Sequence, residues 1–283
     1  MLNLNNQVQL KMIMADVDGT LVTPEKELTL QARSVVGQLR QAGYRFTIIS
    51  SRPPYGLRSL AEILHIDQPM VAFNGGMLFT STGSVLQEHF IPSDTIKTIL
   101  ELLQNFQVSV RLYTPQQWLI QSEEQPYVER EIKTIQAEPA VIQDFGPYCG
   151  QVMKITGVSD DTKAMQECQK AITNHFGEKL NVLRSEPYYL DITHQFANKG
   201  IAVQTMAKFV DIDINEIAVI GDMPSDVPMF QVAGLSIAMG NASESVKSQA
   251  TYITDSNDHD GFAKAMENYV LSKLASPVNV NAW

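Results

Sequence analysis

The sequence predicts an α/β protein with a doubly wound parallel sheet that is interrupted by an inserted domain of mixed α and β structure. The chain has 283 residues, 44% hydrophobic and 18% charged, which suits one large domain or two ordinary ones. Short apolar runs without alternation are separated by helical patterns near both ends of the chain, as in buried parallel strands and their crossover helices. This rhythm is lost between about residues 77 and 188, which an insertion explains most simply.

The first half of the parallel sheet is predicted from three apolar runs and the helices between them. The first strand begins at Lys11 and ends abruptly at two carboxylates. A helix is predicted over Leu28–Ala42, because its apolar residues recur at helical spacing and Gly43 stands where a helix-terminating glycine belongs. The elements that follow are a strand at 44–50, a short helix near 57–64 and a third strand at 70–73, which we expect in the same sheet.

The inserted region is predicted to contain strands and helices in a different order. Its predicted strands are 85–90, 108–113, 118–121, 152–158, 180–184 and 188–192, and its predicted helices are 94–104, 127–136 and 160–176. The parallel rhythm resumes with a helix at 199–209 and a buried strand at 216–220, and the last helix runs from about 262 to 274. We therefore expect a core of residues 1–77 and 189–283, a cap of residues 78–188, and a loose tail from Ala275 to Trp283.

Composition argues against several classes of partner. The formal charge of −10 is unsuited to nucleic acid or an anionic membrane, because both require a basic surface. No apolar stretch approaches the ~20 residues of a membrane span, and we expect no signal peptide. Cys149 and Cys168 lack metal-binding spacing and are interpreted as reduced thiols. These observations predict a cytoplasmic monomer or small homo-oligomer that acts on a small molecule.

Polar residues follow the predicted strands at the edge of the sheet where ligands bind in open α/β folds. A glycine directly after the first pair of carboxylates supplies the backbone freedom that a tight turn needs. The polar residues are, in chain order, Asp16, Asp18, Ser50, Lys199, Asp222 and Asp226.

The carboxylates in this set predict a magnesium site. Three converging carboxylates would repel one another, and a hard divalent cation relieves that repulsion. Mg²⁺ fits best, because it takes one or two carboxylates, keeps several waters and shares a substrate phosphate. Asp16 can then be ligand and nucleophile, and Asp18 can be general acid and then general base. Lys199 and the Ser50 hydroxyl can bind phosphoryl oxygens.

Each of these residues also has an ordinary structural explanation. An Asp-x-Asp-Gly segment is more often only a turn held by its own side-chain hydrogen bonds, and serines are common at strand ends. Lys199 alone would usually be a solvated lysine in the first turn of a helix, and Asp222 and Asp226 could be an acidic helix start. The order of the complete set carries the prediction.

This ordered set resembles the four motifs of the haloacid dehalogenase-like hydrolases. The insertion resembles the large αβ cap of the Cof-type phosphatases, and the resemblance covers nearly the whole chain. The segments that carry the four motifs are Asp16-Val-Asp18-Gly-Thr20, Ser50, Asn198-Lys199-Gly200 and Gly221-Asp222-x-x-Ser225-Asp226. The segments that resemble the Cof-type subfamily are Asn74-Gly75-Gly76, Ala238-Met-Gly-Asn241-Ala and Ser256-Asn-Asp-His-Asp260-Gly261.

The resemblance implies a Rossmann-like core and a Mg²⁺-dependent phosphatase that works through a phospho-aspartate. It implies that Asp16 is nucleophile and ligand, and that Asp18 is acid and base and binds the metal through its backbone carbonyl. Asp222 and Asp226 would complete the metal site. The expected substrate contacts are Gly19, Ser51, Arg52, Asn74, Gly75 and Asn198.

Two residues depart from the family pattern. Ser225 stands where the family usually has asparagine, and Ser51 where it usually has glycine. Both replacements are small, so we expect altered phosphate or metal contacts without loss of chemistry.

The predicted reaction is hydrolysis of a small phosphate monoester, either a sugar phosphate or a nucleotide or cofactor phosphate, under a cap that excludes water. One alternative is a hexose phosphomutase, because eukaryotic phosphomannomutases share a similar cap and first motif. Another is a catalytically inactive phosphate-binding or regulatory homologue. The cap residues that could face a substrate are Arg111, Trp118, Lys154, Arg184, Tyr188 and Tyr189.

Overall fold

The computed structural model describes residues 9–274, so the prediction for Ala275–Trp283 lies outside the described residues. The strands within that range are, in chain order, β1 (Met12–Ala15), β2 (Arg45–Ile48), β3 (Met70–Ala72), β4 (Met77–Phe79), β5 (Val85–Glu88), β6 (Ser109–Tyr113), β7 (Trp118–Ile120), β8 (Ala140–Val141), β9 (Lys154–Val158), β10 (Leu180–Glu186), β11 (Tyr189–His194), β12 (Ile217–Gly221), β13 (Leu235–Ala238) and β14 (Tyr252–Ile253).

The helices of the same range lie between these strands, and none of those described is both long enough and apolar enough to cross a bilayer. They are α1 (Leu30–Gln41), α2 (Arg58–Ile63), α3 (Ser93–Asn105), α4 (Val128–Ile135), α5 (Thr162–Phe176), α6 (Lys199–Phe209), α7 (Val227–Phe230), α8 (Glu244–Lys247) and α9 (Gly261–Ala265). The predicted last helix is present as α9, followed by a π-helical turn at Met266–Val270 and a 3-10 turn at Leu271–Leu274.

The contacts of the chain divide it into two compact units. The first unit runs to Ile49, includes Glu62–Pro69 and resumes at Val203. The second unit consists of Ser50–Ala61 and Met70–Ala202. The predicted boundaries of the core and the cap, at residues 77 and 188, stay a prediction.

The first unit is built on a parallel five-stranded sheet with the order β14-β13-β12-β1-β2. All four residues of β1 are buried, because the strand pairs in parallel with β12 on one side and with β2 on the other. Helix α1 begins at the N-cap Thr29, whose side chain accepts from the Ala32 amide, and it packs its buried apolar face inward. Gly43 follows its end with φ of +88°, as predicted for a helix-terminating glycine.

The second unit contains a mixed six-stranded sheet with the order β10-β11-β9-β6-β7-β8. Its pairs are antiparallel except for the parallel pair β7–β8. Helices α3 and α5 pack against this sheet. The parallel sheet and the inserted mixed sheet together confirm the predicted fold class. The core of the second unit includes Ile96, Ile99 and Leu103 of α3, Met165, Cys168 and Ile172 of α5, and Leu112, Ile155, Leu190 and Ile192 of the sheet.

The third predicted strand does not belong to the parallel sheet, and this expectation was wrong. β3 pairs antiparallel with β4, which in turn pairs antiparallel with β5, in a separate three-stranded sheet. The apolar run Met70–Phe73 fits a buried parallel strand and a buried hairpin strand equally well, because both lack alternation. The turn Phe73–Gly75 and the next apolar run, Met77–Phe79, decide between them by folding the chain back into a hairpin.

Candidate active site

Three carboxylates of the first unit lie together at the carboxyl ends of two neighbouring strands. β1 and β12 are parallel with Ala15 opposite Ile220, so the residues that follow them emerge side by side. One oxygen each of Asp16, Asp222 and Asp226 lies within 4.8 Å of the other two. The three residues are 5%, 7% and 0% exposed. Three carboxylates are therefore gathered at one buried point, where like charges would repel one another.

The loop after β1 is a single tight turn. The Val17 carbonyl accepts from the backbone amides of Thr20, Leu21 and Val22, at 3.3, 2.9 and 3.1 Å. Just before this turn, the backbone amide of Asp16 donates to the Ile220 carbonyl at 2.9 Å.

Gly19 is required in this turn for two reasons. Its φ of +81° lies in the left-handed region, which side chains other than glycine rarely adopt. A Cβ at this position would also lie 2.3 Å from Oδ2 of Asp222, well inside van der Waals contact. Gly19 therefore allows the first loop to approach the carboxylate of Asp222.

Backbone amides and neutral side chains hold the two later carboxylates. Oδ2 of Asp226 accepts from the amides of Asp222 and Met223 at 2.9 and 2.8 Å. Asp222 accepts from the Thr20 hydroxyl at 3.3 Å and from Nδ2 of Asn241 at 3.1 Å. These bonds fix the directions in which the carboxylates point.

Two asparagines link the first loop to the later loops. Nδ2 of Asn241 donates to the Gly19 carbonyl at 2.9 Å as well as to Asp222. Asn257 donates from its amide to Oδ1 of Asn241 at 3.1 Å and from Nδ2 to the Val22 carbonyl at 2.8 Å. No role was predicted for either asparagine, although both lie in segments that resemble the Cof-type subfamily.

The carboxylate of Asp18 is not part of the group formed by the other three. Its Oδ1 accepts a hydrogen bond from Nζ of Lys26 at 2.8 Å. Lys26 lies eight residues along the chain on the loop before α1, a spacing that matches no local sequence pattern. Lys26 is therefore a residue that contacts the predicted acid and base, Asp18, and that was not predicted from the sequence.

The predicted residues Ser50 and Asn198 lie in the second unit, next to the turn Phe73–Gly75. The Ser50 carbonyl accepts from the Asn74 amide at 2.8 Å, and Asn74 adopts a left-handed backbone with φ of 56°. A Cβ on Gly75 would lie 2.6 Å from the Asn198 carbonyl oxygen. The turn therefore brings the end of the second predicted strand close to the start of α6.

Lys199 is the first residue of α6 and is 2% exposed. Oδ1 of Asn198 accepts from the amides of Gly200 and Ile201 at 2.8 and 3.2 Å and so caps this helix. Helix capping is thus a structural role for Asn198, in addition to the predicted contact with substrate.

The loop after Ser50 is held by its own arginine and by a lysine of β9. The Ser50 hydroxyl accepts from the Arg52 amide at 3.1 Å, and Nη1 of Arg52 donates to the Gly56 carbonyl at 3.3 Å. Nζ of Lys154 donates to the Ser51 carbonyl at 3.3 Å. Lys154 is 6% exposed and Ser51 is half-buried, so this contact is partly shielded from solvent.

Arg111, one of the cap residues that could face a substrate, lies in a buried cluster of charged and aromatic side chains. Its side chain is fully buried, with Glu131 at 3.6 Å and the rings of Trp118 and Tyr189 at 5.7 and 5.2 Å. Burial, and then the nearby charge of Glu131, raise the pKa of the Tyr113 phenol far above its usual value. Tyr113 therefore stays protonated and donates to Glu131 at 2.8 Å. These contacts assign Arg111 to the packing of the second unit.

The three buried carboxylates of the first unit could together hold a metal ion. Its donors are oxygens of Asp16, Asp222 and Asp226, and carboxylate oxygens are the ligands that hard divalent cations prefer. A bound cation would also remove the repulsion within the group.

Comparisons with known proteins agree with these motifs. A family model described as haloacid dehalogenase-like hydrolase matches residues 13–266. The chain is 25% identical to a 5-amino-6-(5-phospho-D-ribitylamino)uracil phosphatase of Bacillus subtilis, covering 94% of this chain and 100% of the relative. It is also 25% identical to the phosphatase YwpJ of the same species, covering 92% and 99%. The structure of a haloacid dehalogenase-like hydrolase from Bacteroides thetaiotaomicron is similar, with a TM-score of 0.84, 29% identity and coverage of 92% and 99%.

Proposed function

The chain belongs to the haloacid dehalogenase-like hydrolases, and we propose that it hydrolyses small phosphate monoesters with Mg²⁺ through a phospho-aspartate on Asp16. Membership of this superfamily, together with the activities named for its relatives, makes the protein a phosphatase that acts on small phosphorylated compounds.

The observation that carries the proposal is the buried carboxylate group at the ends of β1 and β12. Asp16, Asp222 and Asp226 would hold Mg²⁺, which would neutralise charge on the phosphoryl oxygens. Three buried carboxylates with oxygens this close together form an arrangement that is typical of functional sites and of metal binding.

In the proposed reaction, a carboxylate oxygen of Asp16 attacks phosphorus. A bond between phosphorus and Asp16 forms, and the bond from phosphorus to the leaving oxygen breaks. Asp18 gives its proton to the leaving oxygen, which departs as an alcohol. Water then attacks the phosphorus of the phospho-aspartate, and its proton goes to the Asp18 carboxylate. The bond between phosphorus and the Asp16 oxygen breaks, inorganic phosphate leaves, and Asp16 and Asp18 return to their starting states.

We assign phosphate binding to residues of the second unit, and substrate contacts to the same unit and to Gly19 of the first unit. The Lys199 ammonium and the Ser50 hydroxyl would bind phosphoryl oxygens. Oδ1 of Asn74 is buried and accepts no hydrogen bond from the described residues, which supports a substrate hydroxyl as its partner. The other residues proposed to contact substrate are Gly19, Ser51, Arg52, Gly75 and Asn198.

The substrate class is a sugar phosphate or a nucleotide or cofactor phosphate. The named activity of one relative, on a phosphorylated ribityl compound, makes polyol phosphates a sensible part of the screen. Phosphate release from a panel of such compounds identifies the best substrate, and an isomerised hexose phosphate without phosphate release would indicate a mutase instead.

The direct test uses 4-nitrophenyl phosphate, Mg²⁺ and the variant Asp16→Asn. Wild-type protein should release phosphate, and Asp16→Asn should lower kcat at least about 10³-fold, because the nucleophile is lost. The matched control is Asp211→Asn, at an exposed position of the first unit with φ of 54°, a conformation that asparagine tolerates well. This control should keep wild-type activity.

A second measurement does not depend on turnover. Mg²⁺ at about 100 times its dissociation constant should stabilise the folded protein by about 2.7 kcal/mol. Asp222→Asn should lose most of this stabilisation. Turnover by Asp16→Asn at the wild-type rate would contradict the covalent mechanism, and equal stabilisation of the wild-type protein and Asp222→Asn would contradict the metal site.

A further inference from the structure

The loop between Thr23 and Glu27 has an unusual residue at its turn. The Thr23 amide donates to the Glu27 carbonyl and the Lys26 amide donates to the Thr23 carbonyl, both at 2.9 Å, which closes a tight turn. Lys26 has φ of 70°, in the left-handed region where glycine or asparagine is usually found. Strained backbone of this kind persists where surrounding contacts enforce it and is common at functional sites.

The side chain of Lys26 is directed back to the first motif. Its Nζ lies 2.8 Å from Oδ1 of Asp18, and the two side chains are 19% and 24% exposed. An ion pair so largely shielded from solvent is better ordered than a surface pair. The residue with the left-handed backbone, Lys26, is therefore also the residue that forms the ion pair with Asp18.

The segment between Asp18 and Lys26 is held by contacts at Val22. Asp18 forms an isolated bridge with Val22, and the Val22 carbonyl accepts from Nδ2 of Asn257 at 2.8 Å. These contacts hold the loop that carries Lys26 beside Asp18. The ammonium and the carboxylate therefore belong to one anchored loop.

We propose that Lys26 is a positioning residue that orients the Asp18 carboxylate for proton transfer. The proposal rests on the proposed function, in which Asp18 protonates the leaving oxygen. An aspartate side chain rotates about two bonds, and a charge-assisted hydrogen bond at Oδ1 removes that freedom. Small errors in the placement of a reacting group are expensive, so a fixed carboxylate raises the rate of proton transfer. Lys26 itself gains and loses no proton in the reaction.

The test compares two aryl phosphates that differ in leaving group and little in shape. 4-Nitrophenolate departs readily without a proton, whereas phenol, with a pKa near that of tyrosine at about 10, needs one. In Lys26→Met we expect kcat/KM to fall about tenfold for phenyl phosphate and less than about twofold for 4-nitrophenyl phosphate. A lysine with only a structural role would affect both substrates equally.

A double-mutant cycle tests whether Lys26 acts through Asp18. Asp18→Asn should show a larger bias against phenyl phosphate, and the double variant Asp18→Asn/Lys26→Met should lie within about twofold of Asp18→Asn alone. Lys26→Arg, which can keep a charged donor to Asp18, should recover part of the lost rate for phenyl phosphate.

The matched control is Lys11→Met. Lys11 forms an ion pair with Glu216 at 2.8 Å in the same unit, and its removal should leave both rates unchanged. Equal losses on both substrates in Lys26→Met, or losses that add to those of Asp18→Asn, would overturn the role of Lys26. Failure of the wild-type protein to hydrolyse either substrate would instead overturn the proposed function, so the two failures are distinguishable.

Discussion

In the first unit three buried carboxylates lie within 4.8 Å of one another, whereas the second unit pairs buried charges of opposite sign. There, Arg111 lies 3.6 Å from Glu131, and Lys154 lies 3.9 Å from Asp191. The aromatic rings of the second unit add to this pairing, since Nζ of Lys154 lies 4.4 Å from the centre of the Tyr113 ring. Opposite charges attract one another within the fold, whereas like charges repel.

The difference separates charges that serve folding from charges that serve a ligand. The Arg111 guanidinium lies beside the Glu131 carboxylate and donates to Tyr189 and to the Pro126 carbonyl, so its charge is compensated within the second unit. The first unit instead gathers three buried carboxylates at one point, an arrangement that is characteristic of functional sites. Buried charge alone is therefore a poor guide to function, and the sign of its neighbours is a better one.

The largest effect is expected from breaking the buried ion pair between Arg111 and Glu131. Glu131→Gln leaves the Arg111 guanidinium buried without its carboxylate, so the free energy of unfolding should fall by about 3 kcal/mol. Urea denaturation measures this loss. Glu129→Gln, at an exposed position of the same helix, is the matched control and should stay within about 0.5 kcal/mol of wild type. A change equally small in Glu131→Gln would mean that the pair does not hold the second unit together.

The next effect disturbs the carboxylate group without removing a charge. In Gly19→Ala the new Cβ would press on the Asp222 carboxylate, so we expect kcat to fall about 10²-fold and Mg²⁺ binding to weaken. Gly43→Ala is the matched control, because Gly43 has a similar φ of +88° but no atom within 4 Å of the added Cβ.

Both glycine variants carry the strain of a positive φ, so both should lower stability by about 1 kcal/mol. Only Gly19→Ala should lose activity. If kcat falls equally in the two variants, backbone strain is responsible and the close approach of Gly19 to Asp222 is not required.

Much of the fold followed from the sequence because the responsible signals are local. The helix at Lys199–Phe209 was predicted with its observed bounds, and β1 was found from an apolar run that ends in carboxylates. The placement of β3 was wrong, since a three-residue apolar strand does not reveal which strand it will pair with. That pairing depends on the hairpin that follows.

Within the site, the gathering of Asp16, Asp222 and Asp226 could be anticipated because parallel strands end at one edge of the sheet. The contacts of Lys26 and Asn241 could not. A lysine side chain reaches its partner through a flexible stem and a strained turn, and Asn241 meets Gly19 across 222 residues of sequence. Neither contact produces periodicity or spacing in the sequence, so only the folded chain shows them.

The smallest expected effect is a loss of stability at acid pH, when two neighbouring histidines of the second unit become protonated. The rings of His89 and His194 are stacked with centroids 5.3 Å apart, and burial lowers the pKa of both. The nearby His89 ring lowers the pKa of His194 further. Protonation would place two positive rings against each other, much as the carboxylates of the first unit face one another.

The sign of this effect follows from proton binding. A histidine in the unfolded chain has a pKa of about 6.5, above the lowered values of the folded state, so below that pH the unfolded chain binds more protons. Stability should therefore be complete above about pH 6.5 and fall as the pH drops below it. His89→Phe keeps a ring in the stack and should reduce the loss of melting temperature between pH 7.5 and pH 5.5. His175→Phe, on the exposed face of α5, should leave that loss unchanged, and an equal response of the two variants would show that the stack is not the acid-sensitive element.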